Sequence, residues 1–143
     1  MTTRFILGVL AYMLPTFPLG YVWHLVLFQD YYEGLAVYRQ DLIIPFGVMS
    51  MLVQGIAWSF VYSRLFAGEP VVRGAVKFAA LALPLAWSFM VLAVAAKHRM
   101  ASVSGFLLIE TAFMAVQYLL VSPLLALVFS SPRQSSIGAD ARA

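Results

Sequence analysis

Ser104–Ser130 reads SGFLLIETAFMAVQYLLVSPLLALVFS, and this stretch decides the fold. Its single charged residue is Glu110. An α-helix needs about 20 mostly apolar residues to cross the hydrocarbon core of a bilayer. The stretch exceeds that length, so it predicts a transmembrane helix.

Three earlier stretches have the same character, and each meets the length requirement for a span. The predicted spans are Phe5–Phe28, Leu42–Tyr62, Gly74–Ala96 and Ser104–Ser130. Because the loops between them are short, consecutive helices are expected to be antiparallel neighbours. We therefore predict an all-α membrane protein, with an antiparallel bundle of four transmembrane helices over residues 1–130 and a flexible tail over Ser131–Ala143.

The composition excludes a water-soluble domain. Of the 143 residues, 63% are hydrophobic and 10% are charged, and the mean hydropathy is +0.91. A soluble domain carries about 25% charged residues. The expected surroundings are therefore the lipid bilayer. The basic residues are scattered, which argues against a nucleic-acid partner, and the lack of cysteine excludes disulfides and thiolate metal sites.

The distribution of basic residues predicts that both termini lie in the cytoplasm, because cytoplasmic loops carry an excess of Lys and Arg. In that orientation six basic residues are cytoplasmic: Arg4, Arg64, Arg73, Lys77, Arg133 and Arg142. Three lie on the opposite side: Arg39, Lys97 and Arg99.

The longest predicted loop, Gln29–Asp41, carries a helical repeat. Tyr31, Leu35, Tyr38 and Leu42 recur at intervals of three or four residues. This spacing is typical of a short amphipathic helix lying in the outer headgroup layer. The alternative is a loop that places its tyrosines in the aromatic belt of the membrane.

Two ionisable side chains lie inside predicted spans, where their burial in lipid is costly and indicates a function by default. Glu110 lies near the start of the fourth span, and His24 lies near the end of the first. In the predicted orientation both are at similar depth in the outer half of the membrane. We expect them in an inward-facing polar cluster formed by Tyr21, His24, Gln54, Glu110 and Gln117.

This cluster has two interpretations. It is a ligand-binding or proton-handling site, because burial and hydrogen bonding can bring a Glu and a His close in proton affinity. Alternatively it is structural: Glu110 pairs with Lys97 or Arg99, and His24 bonds a tyrosine hydroxyl or a carbonyl freed by Pro18. No pair of ligands at helical spacing indicates a metal site, and no cofactor or hydrolase motif is present, so an enzyme is the less favoured class.

A resemblance to a protein family adds a location. Gly20–Phe28, GYVWHLVLF, followed by a loop with tyrosines, resembles the first helix of small four-span bacterial membrane proteins of unknown function. Ile109–Thr111 through Pro123–Leu125 is similar in layout to their last helix. The resemblance implies a bacterial inner-membrane location, and it implies no activity or site residues.

Two functions follow as expectations. Small size and short loops favour a non-enzymatic accessory or assembly subunit, associated with another membrane protein or with copies of itself. The alternative is a small-molecule or proton-coupled binding or transport protein that uses His24 and Glu110.

Overall fold

The computed structural model describes residues 2–39 and 41–130, and that part of the chain is helical without strands. The α-helices are α1 (Thr2–Val22), α2 (Gln29–Leu35), α3 (Ile44–Leu65), α4 (Val71–Trp87), α5 (Ala93–Lys97) and α6 (Val103–Phe129). Two π-helical turns, Trp23–Leu27 and Ser88–Leu92, interrupt the α-helices: the first directly follows α1, and the second connects α4 with α5.

Four continuous helical stretches are long and apolar enough to cross a membrane, as the sequence predicts. We call them spans 1 to 4: Thr3–Leu27, Ile44–Leu65, Val71–Lys97 and Val103–Phe129. Span 3 begins at Val71, before the predicted Gly74, because helical hydrogen bonding continues through Arg73 outside the most apolar segment. The predicted tail, Ser131–Ala143, lies outside the described residues.

The loop between spans 1 and 2 contains α2, which is shorter than the repeat of tyrosines and leucines predicts. Tyr32 and Leu35 are buried against the spans, whereas Tyr31 is exposed. Ala36 ends the helix with a left-handed φ of 54°. Tyr38 therefore lies beyond the helix, and its backbone is free to follow a path set by tertiary contacts.

Span 4 is the central element of the packing. It contacts spans 1 and 3 closely, while span 2 packs mainly on span 1. Half of the most apolar window of span 4 is buried, against 11% for span 2. The order of packing is therefore 2–1–4–3, and the buried core follows span 4.

The spans are closest at the end that contains Gly8. A Cβ atom added to Gly8 would lie 2.7 Å from side-chain atoms of both Ser59 and Phe129, so glycine permits this approach of spans 1, 2 and 4. At the same end, the rings of Tyr62 and Phe78 bring spans 2 and 3 together, with centroids 5.4 Å apart. Toward the other end spans 2 and 3 separate and leave a half-open cavity.

Candidate functional site

A buried His–Glu pair lies at the end of the molecule where the cavity is found. His24 Nε2 is 3.3 Å from Glu110 Oε1, and Glu110 is 6% exposed. His24 projects from the π turn of span 1, and Glu110 lies in the second turn of span 4. Glu110 makes no salt bridge with Lys97 or Arg99, so the structural alternative that pairs it with either residue is wrong, and its ionisable partner among the described residues is His24.

The second ring nitrogen of His24 fixes how many protons the pair holds. Nδ1 lies 2.9 Å from the carbonyl oxygen of Gly20. A carbonyl oxygen accepts hydrogen bonds and never donates them, so Nδ1 carries a hydrogen. A hydrogen bond between Nε2 and Oε1 then requires one proton, and with that proton the pair is neutral overall whichever atom holds it. This carbonyl belongs to Gly20 and is not the one that Pro18 leaves without its usual donor.

Tyr38 completes the polar group around Glu110. Its hydroxyl donates to Oε1 at 2.7 Å, although 43% of the residue is exposed. Burial of the hydroxyl, followed by the nearby Glu110 charge, raises the pKa of Tyr38 well above the usual range for tyrosine, and the same causes raise the pKa of Tyr32. Both hydroxyls therefore remain protonated at physiological pH.

Aromatic rings surround the imidazole of His24. Ring centroids lie 4.5 Å away for Phe113, 4.8 Å for Tyr32 and 5.9 Å for Tyr38. Tyr32 and Tyr38 stack on each other at 5.1 Å. These contacts fix the imidazole between spans 1 and 4 and the loop.

A second polar group lies deeper in the same interior. Tyr12 donates to Gln54 Oε1 at 2.5 Å, and Gln117 Nε2 donates to the hydroxyls of Tyr12 at 3.2 Å and Thr16 at 3.3 Å. These bonds join spans 1, 2 and 4. The single polar cluster that the sequence predicts is thus two groups, with His24 and Glu110 in one and Gln54 and Gln117 in the other.

Tyr21 belongs to neither group. It is 54% exposed, and its hydroxyl makes no hydrogen bond within residues 2–39 and 41–130. Its side chain nevertheless borders the cavity.

One cavity joins both polar groups. It has a volume of about 480 Å³ and lies between spans 1, 2 and 4, with Ala86 and Met90 of span 3 on its far side. Apart from the polar groups, its lining is mainly apolar. A more polar cavity of about 710 Å³ lies under α2 and the following loop, and we call it the vestibule. His24 and Tyr38 line both cavities and so lie at their boundary.

Sequence reasoning missed four of these residues: Tyr12, Thr16, Tyr32 and Tyr38. The signal for the first two is present, because Tyr12, Thr16, Gly20 and His24 recur every four residues on span 1. Tyr32 and Tyr38 carry no such signal, because their position depends on how the loop folds over the spans.

The described residues contain no group of three His, Asp or Glu side chains that could hold a metal ion. Comparison of the chain with protein-family models, with curated proteins and with solved structures found no match. The resemblance of Gly20–Phe28 to small bacterial four-span proteins therefore remains a prediction.

Proposed function

We propose that this chain is a multi-pass protein of a bacterial inner membrane, with its four spans in an antiparallel bundle and both termini in the cytoplasm. The four membrane-length helices and the excess of basic residues on one side support this arrangement. The bacterial location rests on the resemblance of the first and last spans.

Within this bundle we infer a binding site for a small, largely apolar molecule. The observation that carries the proposal is the cavity of about 480 Å³ whose lining is mainly apolar and which includes the His24–Glu110 pair. Ligand sites are typically concave and mostly apolar, with a few polar groups that orient the ligand. The cavity has this combination, and it lies between helices, where such sites occur.

Two features favour this function over the accessory role. An ionisable pair in a membrane interior is costly and by default indicates a function of its own, and the cavity beside the pair provides space for a ligand. His24 also lies in a π turn, a distortion that is frequent at functional sites. The accessory role, with a membrane-protein partner or a homo-oligomer, stays the second candidate, which these features favour less.

The test is photolabelling of the cavity with a neutral apolar probe, 3-trifluoromethyl-3-phenyldiazirine, on the full chain in lipid nanodiscs. Met114 lines the cavity and is 3% exposed, so lipid does not cover it. We expect saturable labelling of Met114, measured by mass spectrometry of peptides.

A cavity-filling variant provides the control. Gly47 lines the cavity, and a Cβ atom there would meet nothing within 4 Å, so Gly47→Trp fills space without a clash at the backbone. Gly34 is equally open but lies on α2 away from the cavity. Gly47→Trp should abolish the labelling of Met114, and Gly34→Trp should not. Labelling confined to exposed residues in the unmodified chain and in both variants would contradict the proposed binding site.

A further inference from the structure

The cavity contains one ionisable pair and no other formal charge. Of the residues that line it, Glu110 and His24 are the only acidic and basic side chains, and no Lys or Arg is among them. The other titratable groups that line the cavity or the vestibule are Tyr12, Tyr21, Tyr32, Glu33, Tyr38, Arg39 and Tyr118. Arg39 and Glu33 line the vestibule, where Arg39 pairs with Asp41 and Glu33 accepts from the neutral Gln29 amide, and neither lines the cavity.

In the His24–Glu110 pair, the atom that is left without a hydrogen bond is an acceptor, Glu110 Oε2. Glu110 Oε1 lies against both His24 Nε2 and the Tyr38 hydroxyl, while Oε2 makes no hydrogen bond with residues 2–39 or 41–130. The His24 nitrogens are both engaged, by Gly20 and by Glu110. Of the pair itself, a ligand that enters therefore meets a free carboxylate oxygen. The free donors among the described lining residues are neutral hydroxyls, those of Tyr21 and Tyr118 on the cavity and of Tyr32 on the vestibule.

The surrounding rings have the same preference. Tyr38 and Phe113 line the cavity and Tyr32 lines the vestibule, and all three rings lie within 6 Å of the His24 imidazole beside Glu110. Aromatic rings attract cations through the negative charge of their faces, and groups of such rings bind organic cations such as quaternary ammonium ligands. An anion would instead face the carboxylate and the ring electrons.

Charge balance indicates that a ligand binds in exchange for a proton. The resting pair holds one proton and is neutral, and a net charge in a cavity within the membrane is costly. We propose that the ligand is a monovalent lipophilic cation, bound beside Glu110 as the proton shared by His24 and Glu110 leaves to water. The cavity stays neutral before and after exchange. This inference rests on the proposed function and adds the ligand's charge and its coupling to a proton.

The experiment compares three probes of similar shape and different charge. Tetraphenylphosphonium is the cation, triphenylphosphine oxide is neutral, and tetraphenylborate is the anion. Binding to the full chain in dodecylmaltoside micelles is measured by titration calorimetry at pH 6, 7 and 8, in two buffers of different ionisation enthalpy to count protons. We expect tetraphenylphosphonium to bind with release of one proton. Its Kd should therefore fall about tenfold for each unit by which the pH rises, in the range where one full proton is released.

Two variants assign the effect. Glu110→Gln cannot release the shared proton and should lose saturable binding of tetraphenylphosphonium, whereas Glu33→Gln in the vestibule should retain it. If Glu110→Gln does not fold, the charge series and the proton count on the unmodified chain decide the result. Protein-free dodecylmaltoside micelles correct for partition of the probes into detergent.

The failures of the two proposals are distinguishable. Equal binding of triphenylphosphine oxide without proton release, or preferential binding of tetraphenylborate, overturns the cation proposal and leaves the apolar binding site standing. No binding of any probe overturns the cation proposal, and the diazirine labelling of Met114 then decides the proposed function on its own.

Discussion

Tyr38 is the residue that connects the loop to the interior, since its hydroxyl reaches Glu110 while 43% of the residue stays exposed. Tyr38→Phe removes the hydroxyl and little else, so we expect a loss of about 1 kcal/mol in the free energy of unfolding. Tyr31→Phe is the matched control, because Tyr31 is 44% exposed and makes no hydrogen bond among the described residues. Denaturant unfolding in mixed micelles measures both, and equal effects would contradict the assigned role.

The raised pKa of Tyr38 adds a pH dependence with a definite sign. Burial and the Glu110 charge keep the folded hydroxyl protonated, whereas in the unfolded chain tyrosine ionises at its ordinary pKa of 10.0. The stabilisation is therefore fully present below pH 10 and decreases as the pH rises above that value. The unmodified chain should lose stability more steeply above pH 10 than Tyr38→Phe, and parallel pH profiles would contradict this.

The cost of ionisable groups in lipid made Glu110 and His24 predictable from the sequence. Their pairing was expected only as one alternative, because depth along two helices does not determine which faces meet. Tyr38 was assigned to the membrane surface, since nothing in a loop sequence indicates a contact with a residue that is 72 positions away.

Among the elements, the four spans were predictable and the distortions within them were not. Hydropathy determines the length of an apolar helix, but the π turns at Trp23–Leu27 and Ser88–Leu92 leave no mark in the apolar pattern. The end of α2 was also missed. The repeat from Tyr31 to Leu42 predicts a continuing helix, and the contact of Tyr38 with Glu110 overrides it.

The left-handed backbone at Ala36 provides a test of how α2 ends. An L-residue with a side chain pays about 1 kcal/mol in this conformation, and glycine does not. Ala36→Gly should therefore stabilise the protein, or at least cost nothing. In the helical interior of α4 the same substitution at the exposed Ala80 should destabilise by about 1 kcal/mol. Thermal unfolding of the two variants compares them, and equal losses would contradict the end of α2 at Ala36.

On the scale of the whole molecule, the cavity follows from the order in which the spans pack. Span 2 lies on span 1 and meets span 3 near Tyr62 and Phe78, so the opposite halves of spans 2 and 3 are free to separate. Each span alone is equally compatible with a filled four-helix core. The sequence therefore indicated polar residues such as His24 and Glu110, but neither their tyrosine and threonine partners nor the space beside them.

The proposed orientation places the vestibule on the outer side of the membrane. The chain has no cysteine, so single cysteines can report sidedness without background. Asp41 lies in the vestibule loop and Ala67 in the loop between spans 2 and 3, and both are exposed. Asp41→Cys breaks an exposed ion pair with Arg39, which contributes little to stability.

In cells that express each variant, a membrane-impermeant maleimide should label Asp41→Cys directly, because the positive-inside distribution places that loop outside. Ala67→Cys should be labelled only after the membrane is permeabilised. The reverse pattern would keep the four spans but place His24 and Glu110 in the cytoplasmic half of the bilayer. A ligand would then reach the vestibule from the cytoplasm, and the proton released on binding would enter the cytoplasm. Labelling of both cysteines in intact cells would contradict a loop on each side of the membrane and, with it, the proposed bundle.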